Sequence, residues 1–525
     1  MKKVLCIIWV AVAPLSLMAQ AALRKLSPVI NQPSVNVSVP FISLDGNTLL
    51  FLSDYAEDEK LVINYSTKEG AVNWKEPITL PKTINNNLNF LKGYTLSPDG
   101  KTIYLTNMKT GGIGGFDIYK SELKGATWSE LTNLALPINS KLNDGSPTFS
   151  ADGNTMYFMR CEKMTFDKAD ACKLFTARRK PNGQWEEPTE LPALINTGNS
   201  QTPRILGDGE TLIFSSNKFP ANKGGMDLYM TRWNGSSWSN PLPLDFVNTP
   251  NDDQFVTASN VGRYLMKEAP GARRSEIVEV LFPAEIRPKV MMKIEGTVNI
   301  PSYISVFNKK EQTRVFNSRP GANGQFTVFL KEGGIYDLSI EPEQDINTFF
   351  SKEYNLTNDK FPQIDRITAT LKPVAAGDEI ELGGVSFRPN SFELDPSSAQ
   401  DLRRVARMIK ANPSFRFAID VSLFGYVRDS VRSNPDLSEQ STDTVKIPVS
   451  YKAIDKTSAD SVKMLVRDSV VIKNTYHNDR TPHQALEIAN YLSSQGVPAK
   501  NITLTHHAVP ALPENRKVVV KLSVK

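Results

Sequence analysis

The sequence predicts a multidomain chain: an all-β five-bladed propeller, then a small β-sandwich, then a C-terminal α+β domain. Three observations lead there. Asp-Gly turns recur at a nearly fixed interval through the first half. A stretch alternating apolar and polar residues follows them. Beyond Gly377, helical and strand periodicities mix. The 525 residues are too many for one ordinary core. A composition of 40% hydrophobic and 22% charged residues is that of globular protein.

The turns are Asp45-Gly46, Asp99-Gly100, Asp152-Gly153 and Asp208-Gly209, with a worn copy at Val261-Gly262. Their glycines lie 54, 53, 56 and 53 residues apart. Trp74, Trp128, Trp185 and Trp238 keep the same interval, and each is followed by a tail ending in Ile-Asn or Val-Asn. A fixed period of this size signals a repeat architecture. After each turn come apolar, β-branched runs such as "TIYLTN", "TMYFMR" and "TLIFSS". "FDIYKSEL", "KLFTARR" and "MDLYMTRW" supply the next strand, and the Trp segment an outer one. That is about four strands per unit, the content of a propeller blade.

Five turns but only four Trp tails leave the last unit short. "LRKLSPVINQPSVN" near the start has the form of the missing tail. The N-terminal segment is therefore expected to complete the final blade and leave no open edge. The propeller spans roughly 22–287.

Gly111, Gly112, Gly114 and Gly115 form a run between two strands of the second unit. A phosphate loop needs Lys-Ser/Thr and a helix after its glycines. Here an aromatic strand follows, so the run reads as a tight turn using positive φ. Asp45, Asp99, Asp152 and Asp208 recur with the turns and read as Asx turns rather than a catalytic set. Cys161 and Cys172 flank the loop that replaces the glycine run in the third unit. They are either free thiols or a disulfide. An oxidising compartment favours the bond, which would stabilise by roughly 2–4 kcal/mol.

Residues 1–21, "MKKVLCIIWVAVAPLSLMAQA", read as a secretory signal: Lys2 and Lys3, an apolar stretch, then Ala19-Gln20-Ala21. The apolar run is short for a bilayer span. Removing the signal takes the net charge from +5 to +3, which gives no support for a nucleic-acid partner. Two remaining cysteines and four histidines do not supply a zinc site, and no cofactor is expected.

Residues 288–345 read as the β-sandwich and 346–376 as a connecting segment. In the last domain, Asp395 is placed to cap a helix that opens with Pro396. Leu402, Val405, Ala406 and Ile409 share one face of it. A second helix carries Ala485, Ile488, Ala489, Tyr491 and Leu492. "FRFAIDVSLF" and "KVVVKLSV" are strands. An insertion of 52 residues separates Phe424 from His477, expected as a β extension with a polar tip at "RSNPDLSEQST". His506 and His507 read as a strand end.

The repeats resemble WD-type, TolB-like propeller repeats, which implies a non-catalytic interaction platform. The middle module resembles the carboxypeptidase-regulatory-like sandwich. "NPSFRFAID", "ALEIANYLSSQGVPAKNI" and "NRKVVVKL" resemble the OmpA-like peptidoglycan-binding domain. That resemblance implies a charge clamp for diaminopimelate, with Asp for the ammonium and Arg for the carboxylate. At those positions this chain has Phe424, ending Val421-Ser422-Leu423-Phe424, and Gln484. Asn515 and Arg516 of the later family motif are retained, with Lys517 conservative. The clamp is therefore expected to be degenerate.

The whole order resembles OmpA family envelope proteins of Bacteroidota, including the PorE-like design of type IX secretion. With no G-x-S-x-G elbow and no H-E-x-x-H helix, the expectation is not an enzyme. It is a periplasmic, outer-membrane-associated scaffold whose partners are envelope proteins. The alternatives are a peptidoglycan anchor with a rearranged site and a glycan-binding accessory protein.

Overall fold

The computed structural model describes residues 23–54, 61–70, 73–85, 93–219, 222–258, 262–271, 274–321, 323–358, 361–362, 364–388, 391–426, 439–454, 462–477, 479–510 and 517–525. The signal segment 1–21, Asn515 and Arg516 lie outside these residues. The chain divides into two compact units, Met1–Met292 and Lys293–Lys525.

Among its described residues the first unit holds five antiparallel sheets. The first is built on Val37–Ile42, Thr48–Ser53 and Val62–Glu69, and the next three repeat that order. Each Asp-Gly turn joins the first strand of a sheet to the second. Ser43, Ser97 and Ser150 donate their hydroxyls to Asp45, Asp99 and Asp152 at 2.6, 2.5 and 2.5 Å. The same carboxylates accept the amides of Asn47, Lys101 and Asn154, which makes them Asx turns. Asp208 makes the same Asx turn by accepting the Glu210 amide at 3.1 Å, and, with Leu206 in place of the serine, its carboxylate also accepts the Thr211 amide and hydroxyl at 2.9 and 2.7 Å.

The Trp segment is not one continuous outer strand. Asn73–Trp74 and Ile78–Thr79 pair separately with the third strand of the first sheet, as Thr127–Trp128 and Thr132–Asn133 do in the second. Lys75, Glu76 and Pro77 lie between the pieces in the first sheet, and Ser129, Glu130 and Leu131 in the second; Pro77 has no amide hydrogen to offer the ladder.

Five apolar clusters join each sheet to the next. Leu52 and Ile63 meet Ile84 and Leu105. Tyr104 and Ile118 meet Met156 and Phe158. Leu174 meets Phe214, and Ile213 meets Val278. The fifth cluster packs Met266 and Ile277 against Phe51 and Trp74, returning to the first sheet. The sheets thus close a ring, the arrangement of a β-propeller.

The closure uses the tail expected from the sequence. Leu23–Lys25 pairs antiparallel with Ser275–Leu281. Asn85, Asn139, Asn196 and Asn248 each accept a third-strand amide, from Ile63, Ile118, Leu174 and Leu228 at 2.8–2.9 Å. Each also donates its Nδ2 to the carbonyl of that same residue. Asn31 does the same to Ile277 in the last sheet, at 2.9 Å in both directions.

In the second unit, Gln325–Lys331, Met291–Val298 and Ile364–Ala369 form one sheet. Thr313–Ser318, Ser302–Asn308, Ile335–Pro342 and Phe350–Asn355 form another. The segment expected to be only a connection, 346–376, therefore contributes two paired strands. Phe349 and Val374 also enter the core that follows. The expected boundary at 345 stopped short because "FSKEYN" and "IDRITA" are short and half polar.

A third sheet orders Glu379–Glu381, Lys517–Val524, Phe417–Tyr426 and Ile502–Pro510. Asp395 caps a short 3₁₀ turn, Pro396–Ser398, by accepting the Ser397 amide at 2.9 Å. The α-helix Ala399–Ala411 follows and buries Leu402, Val405, Ala406 and Ile409. Helix Thr481–Ser494 buries Ala485, Ile488 and Leu492. Arg404 of the first helix ties these elements to the preceding strands. Its Nε donates to Glu341 at 2.7 Å, and its Nη1 lies between Asp401 and Asp337. Burial and the nearby Asp401 carboxylate raise the Asp337 pKa to about 7.

The insertion forms a two-stranded antiparallel ribbon, Glu439–Ile454 against Val462–His477. Of the expected polar tip, Glu439 to Thr442 lie within its first strand, and the rest falls outside the described residues.

Candidate functional site

The clamp positions of the C-terminal domain sit on two elements that pack together in one core. Phe424, near the end of Phe417–Tyr426, is 41% exposed, opposite Val509 and Lys517 on the flanking strands. Gln484, in the first turn of its helix, is buried. Its Nε2 donates to the Ser391 carbonyl at 3.2 Å, while its Oε1 is buried without a hydrogen-bond partner among the described residues. Beside it the His483 and Phe392 rings lie 5.5 Å apart. The two positions present a phenyl ring and a buried amide. His506 and His507 lie within Ile502–Pro510 rather than at its end, paired with Val421 and Ser422. His507 Nε2 is 3.1 Å from Asp420, which also accepts the Ser422 and Thr505 hydroxyls. Among the described residues no group of three His, Cys, Asp or Glu side chains could hold a metal ion. No helix among them is long and apolar enough to cross a membrane.

The glycine run closes on its own acid. The amides of Ile113 and Gly114 donate to the buried Asp117 carboxylate at 2.7 and 3.1 Å, and Asn133 donates to it at 2.8 Å. Donors that could face a phosphate are therefore held by a fixed negative charge, which repels one. Gly114 is required by close approach: a Cβ there would lie 1.9 Å from the Leu142 carbonyl oxygen.

Cys161 and Cys172 are joined, with an S–S distance of 2.06 Å. They are not at the base of a loop. They face each other across the hairpin of Thr155–Met164 and Ala169–Arg178, whose turn closes with the Thr165 amide on the Lys168 carbonyl at 2.7 Å.

Sequence reasoning passed over the centre of the ring. In three sheets the first strand bends at a non-glycine residue with positive φ, Val39 (50°), Ser146 (48°) or Thr202 (47°), and Phe255 (51°) has the same conformation in the last unit without belonging to a strand. Three of them precede Pro40, Pro147 and Pro203, and the ladder shifts register there. Such a conformation costs about 1–3 kcal/mol and persists only where the surroundings enforce it. The signal was available, since each of these prolines lies six residues before the glycine of its turn.

The next position of each repeat is Phe41, Thr95, Thr148, Arg204 or Thr257, and all five line one cavity of about 40 Å³. Arg204 Nη1 donates to the Thr95 hydroxyl at 3.3 Å, joining sheets that are not neighbours, so these strands meet at the ring axis. Its Nε donates to the Val256 carbonyl at 3.2 Å, and its guanidinium lies 4.7 Å from the centre of the Phe41 ring. Burial presses the Arg204 pKa down to about 10, so it stays charged at neutral pH.

No protein-family model and no curated protein matches the sequence. Solved structures similar to this chain include a TolB protein from Agrobacterium tumefaciens, 15% identical, with a TM-score of 0.29, covering 56% of this chain and 90% of that one. An oligogalacturonate lyase from Vibrio parahaemolyticus is 9% identical over 51% of this chain and 96% of that one, with a TM-score of 0.30. An α-L-arabinofuranosidase from Lactobacillus brevis is 14% identical over 50% and 94%, with a TM-score of 0.32.

Proposed function

We propose that this protein is a non-catalytic scaffold of the cell envelope. In this reading a five-bladed propeller presents a surface to a protein partner. The C-terminal domain, OmpA-like in its strand and helix order, docks to another envelope protein rather than gripping peptidoglycan. One observation carries the reading: the positions where the family places an acid and an arginine hold Phe424 and the buried Gln484. Without a carboxylate and a guanidinium there, a zwitterionic ligand loses two charge-assisted contacts of about 1.5–3 kcal/mol each.

The ribbon offers an alternative contact. Val445, Val449 and Tyr451 of one strand and Leu465 and Val471 of the other are all more than 40% exposed and share one face by their pairing. The secretory segment at the N-terminus and the Cys161–Cys172 bond support an oxidising, exported setting on the periplasmic side of the outer membrane.

The test is co-sedimentation of the mature chain with purified peptidoglycan sacculi, beside Phe424→Asp. The reading expects the native chain to stay in the supernatant. Sedimentation of the native chain at the level of an intact family member would favour a wall anchor with a rearranged site, and the docking reading would fall.

A further inference from the structure

The equivalent positions Phe41, Thr95, Thr148, Arg204 and Thr257 place one guanidinium, three threonines and one aromatic ring around the ring axis. From this arrangement we infer that the axial cavity is a binding site for a carboxylate, with Arg204 as its counter-charge.

The argument rests on what Arg204 lacks. Two other enclosed cations of the ring each hold an acid. Arg160 lies 2.6 Å from Asp144, and Lys267 lies 2.6 Å from Asp253. Arg204 has no carboxylate within 4.0 Å among the described residues, and both of its hydrogen bonds go to neutral oxygens. A guanidinium has five N–H donors and does not give up its proton at neutral pH. Two of the five are accounted for here. Arg204 is half-buried, and a cation withdrawn from water to that degree is normally paired. No other repeat puts a cation at this position, so the fold does not require one there.

Size and lining narrow the ligand. A water needs roughly 10–15 Å³ of such space, so 40 Å³ admits a head group of about three heavy atoms. A planar carboxylate matches the fork of a guanidinium in two parallel hydrogen bonds. The apolar walls at Ile42, Leu96 and Phe149 suit the carbon next to that group. Two sources supply this chemistry: a small organic acid, and the C-terminal carboxylate of a peptide entering the axis. The inference concerns the ring alone and holds whether or not the C-terminal domain avoids peptidoglycan.

The experiment is thermal unfolding and calorimetric titration of the whole mature chain in a carboxylate-free buffer, with Arg204→Met beside the native protein. The probes are acetate, benzoate, and acetyl-tetraalanine with either a free or an amidated C-terminus. The native protein should be stabilised in proportion to the logarithm of probe concentration. Arg204→Met should lose at least tenfold in affinity. It should also melt no lower than the native protein in the absence of probe, because it removes an unpaired enclosed charge. Tighter binding of the free peptide than of acetate or benzoate, with none of the amidated one, would assign the site to a peptide terminus. Equal binding of the small acids and the free peptide would assign it to the carboxylate alone. If no probe shifts the native protein, or Arg204→Met melts well below it, Arg204 is a structural strut and the inference is overturned.

Discussion

The ring and the ribbon solve the same problem in opposite ways. Both are antiparallel β-structure with short connections. In the ring, the first-to-last closure is reinforced twice, by Leu23–Lys25 pairing with Ser275–Leu281 and by Asn31 on Ile277. In the ribbon, Glu439–Ile454 and Val462–His477 pair only with each other among the described residues. An isolated two-stranded ribbon is marginal in water, and free edges invite a partner strand. The difference teaches that a two-stranded ribbon with both edges open is a candidate surface rather than a packing failure.

The comparison breaks most directly at Asn31. If closure of the ring works as each internal tie does, Asn31→Ala and Asn139→Ala should each lower stability by about 2–3 kcal/mol. Each removes a pair of amide contacts to the strand backbone, buried at Asn139 and half-buried at Asn31. Chemical denaturation of both variants checks this. A small loss at Asn31 beside a large one at Asn139 would show that the ring stays closed without its N-terminal tie.

The bond within the third sheet gives a slightly smaller effect. The double variant Cys161→Ser, Cys172→Ser should lose about 2–3 kcal/mol, since the closed loop is short. The native protein with its disulfide reduced should unfold at the same denaturant concentration as the variant. Unequal midpoints would mean that the serines, rather than the missing bond, cause the loss.

The second unit should respond to pH through Asp337. A carboxyl group whose folded pKa lies above its unfolded value favours folding at low pH. That contribution is lost as pH rises from about 4 through about 7. Asp337→Asn should therefore flatten the fall in melting temperature between pH 5 and pH 8. Calorimetric scans across that range are the check, and an unchanged slope would place the titration elsewhere.

The smallest effect sharpens the contrast. Val449→Ser with Val471→Ser, on the exposed face of the ribbon, should change stability by no more than about 0.5 kcal/mol. If the ribbon docks to an envelope protein as proposed, the same pair of changes should abolish its cross-linking to that protein in native envelopes. A loss of several kcal/mol would show that the ribbon is folded against the rest of its unit.

Much of the ring was legible because its determinants are local and repeated. Asp45, Asp99 and Asp152 make turns within five residues of themselves, and the Ile-Asn tails mark where a side chain returns to the third strand. The surplus tail before Val37 disclosed how the ring closes, because one copy had no turn of its own. The run from Gly111 to Gly115 reads as a turn on chemistry alone, and the Asp117 carboxylate bound by the Ile113 and Gly114 amides gives the physical reason. The pieces that escaped were short or half polar. Phe350–Asn355 and Ile364–Ala369 carry too few apolar residues to announce a strand, and only pairing with Ile335–Pro342 and Met291–Val298 fixes them.

The sequence by itself determined the repeat, the turn chemistry, and the helix faces of Leu402 to Ile409 and Ala485 to Leu492. These depend on spacing along the chain, and spacing is written in the sequence. Only the tertiary structure decided that Cys161 faces Cys172 across a hairpin, that Arg404 lies among Asp337, Glu341 and Asp401, and that Arg204 meets Thr95 and Phe41 at the axis. Apart from Asp401, which lies three positions from Arg404, those relations join residues 11 to 163 positions apart. Their energies depend on burial and on which charges share a space, and neither can be read from one residue and its neighbours in the chain.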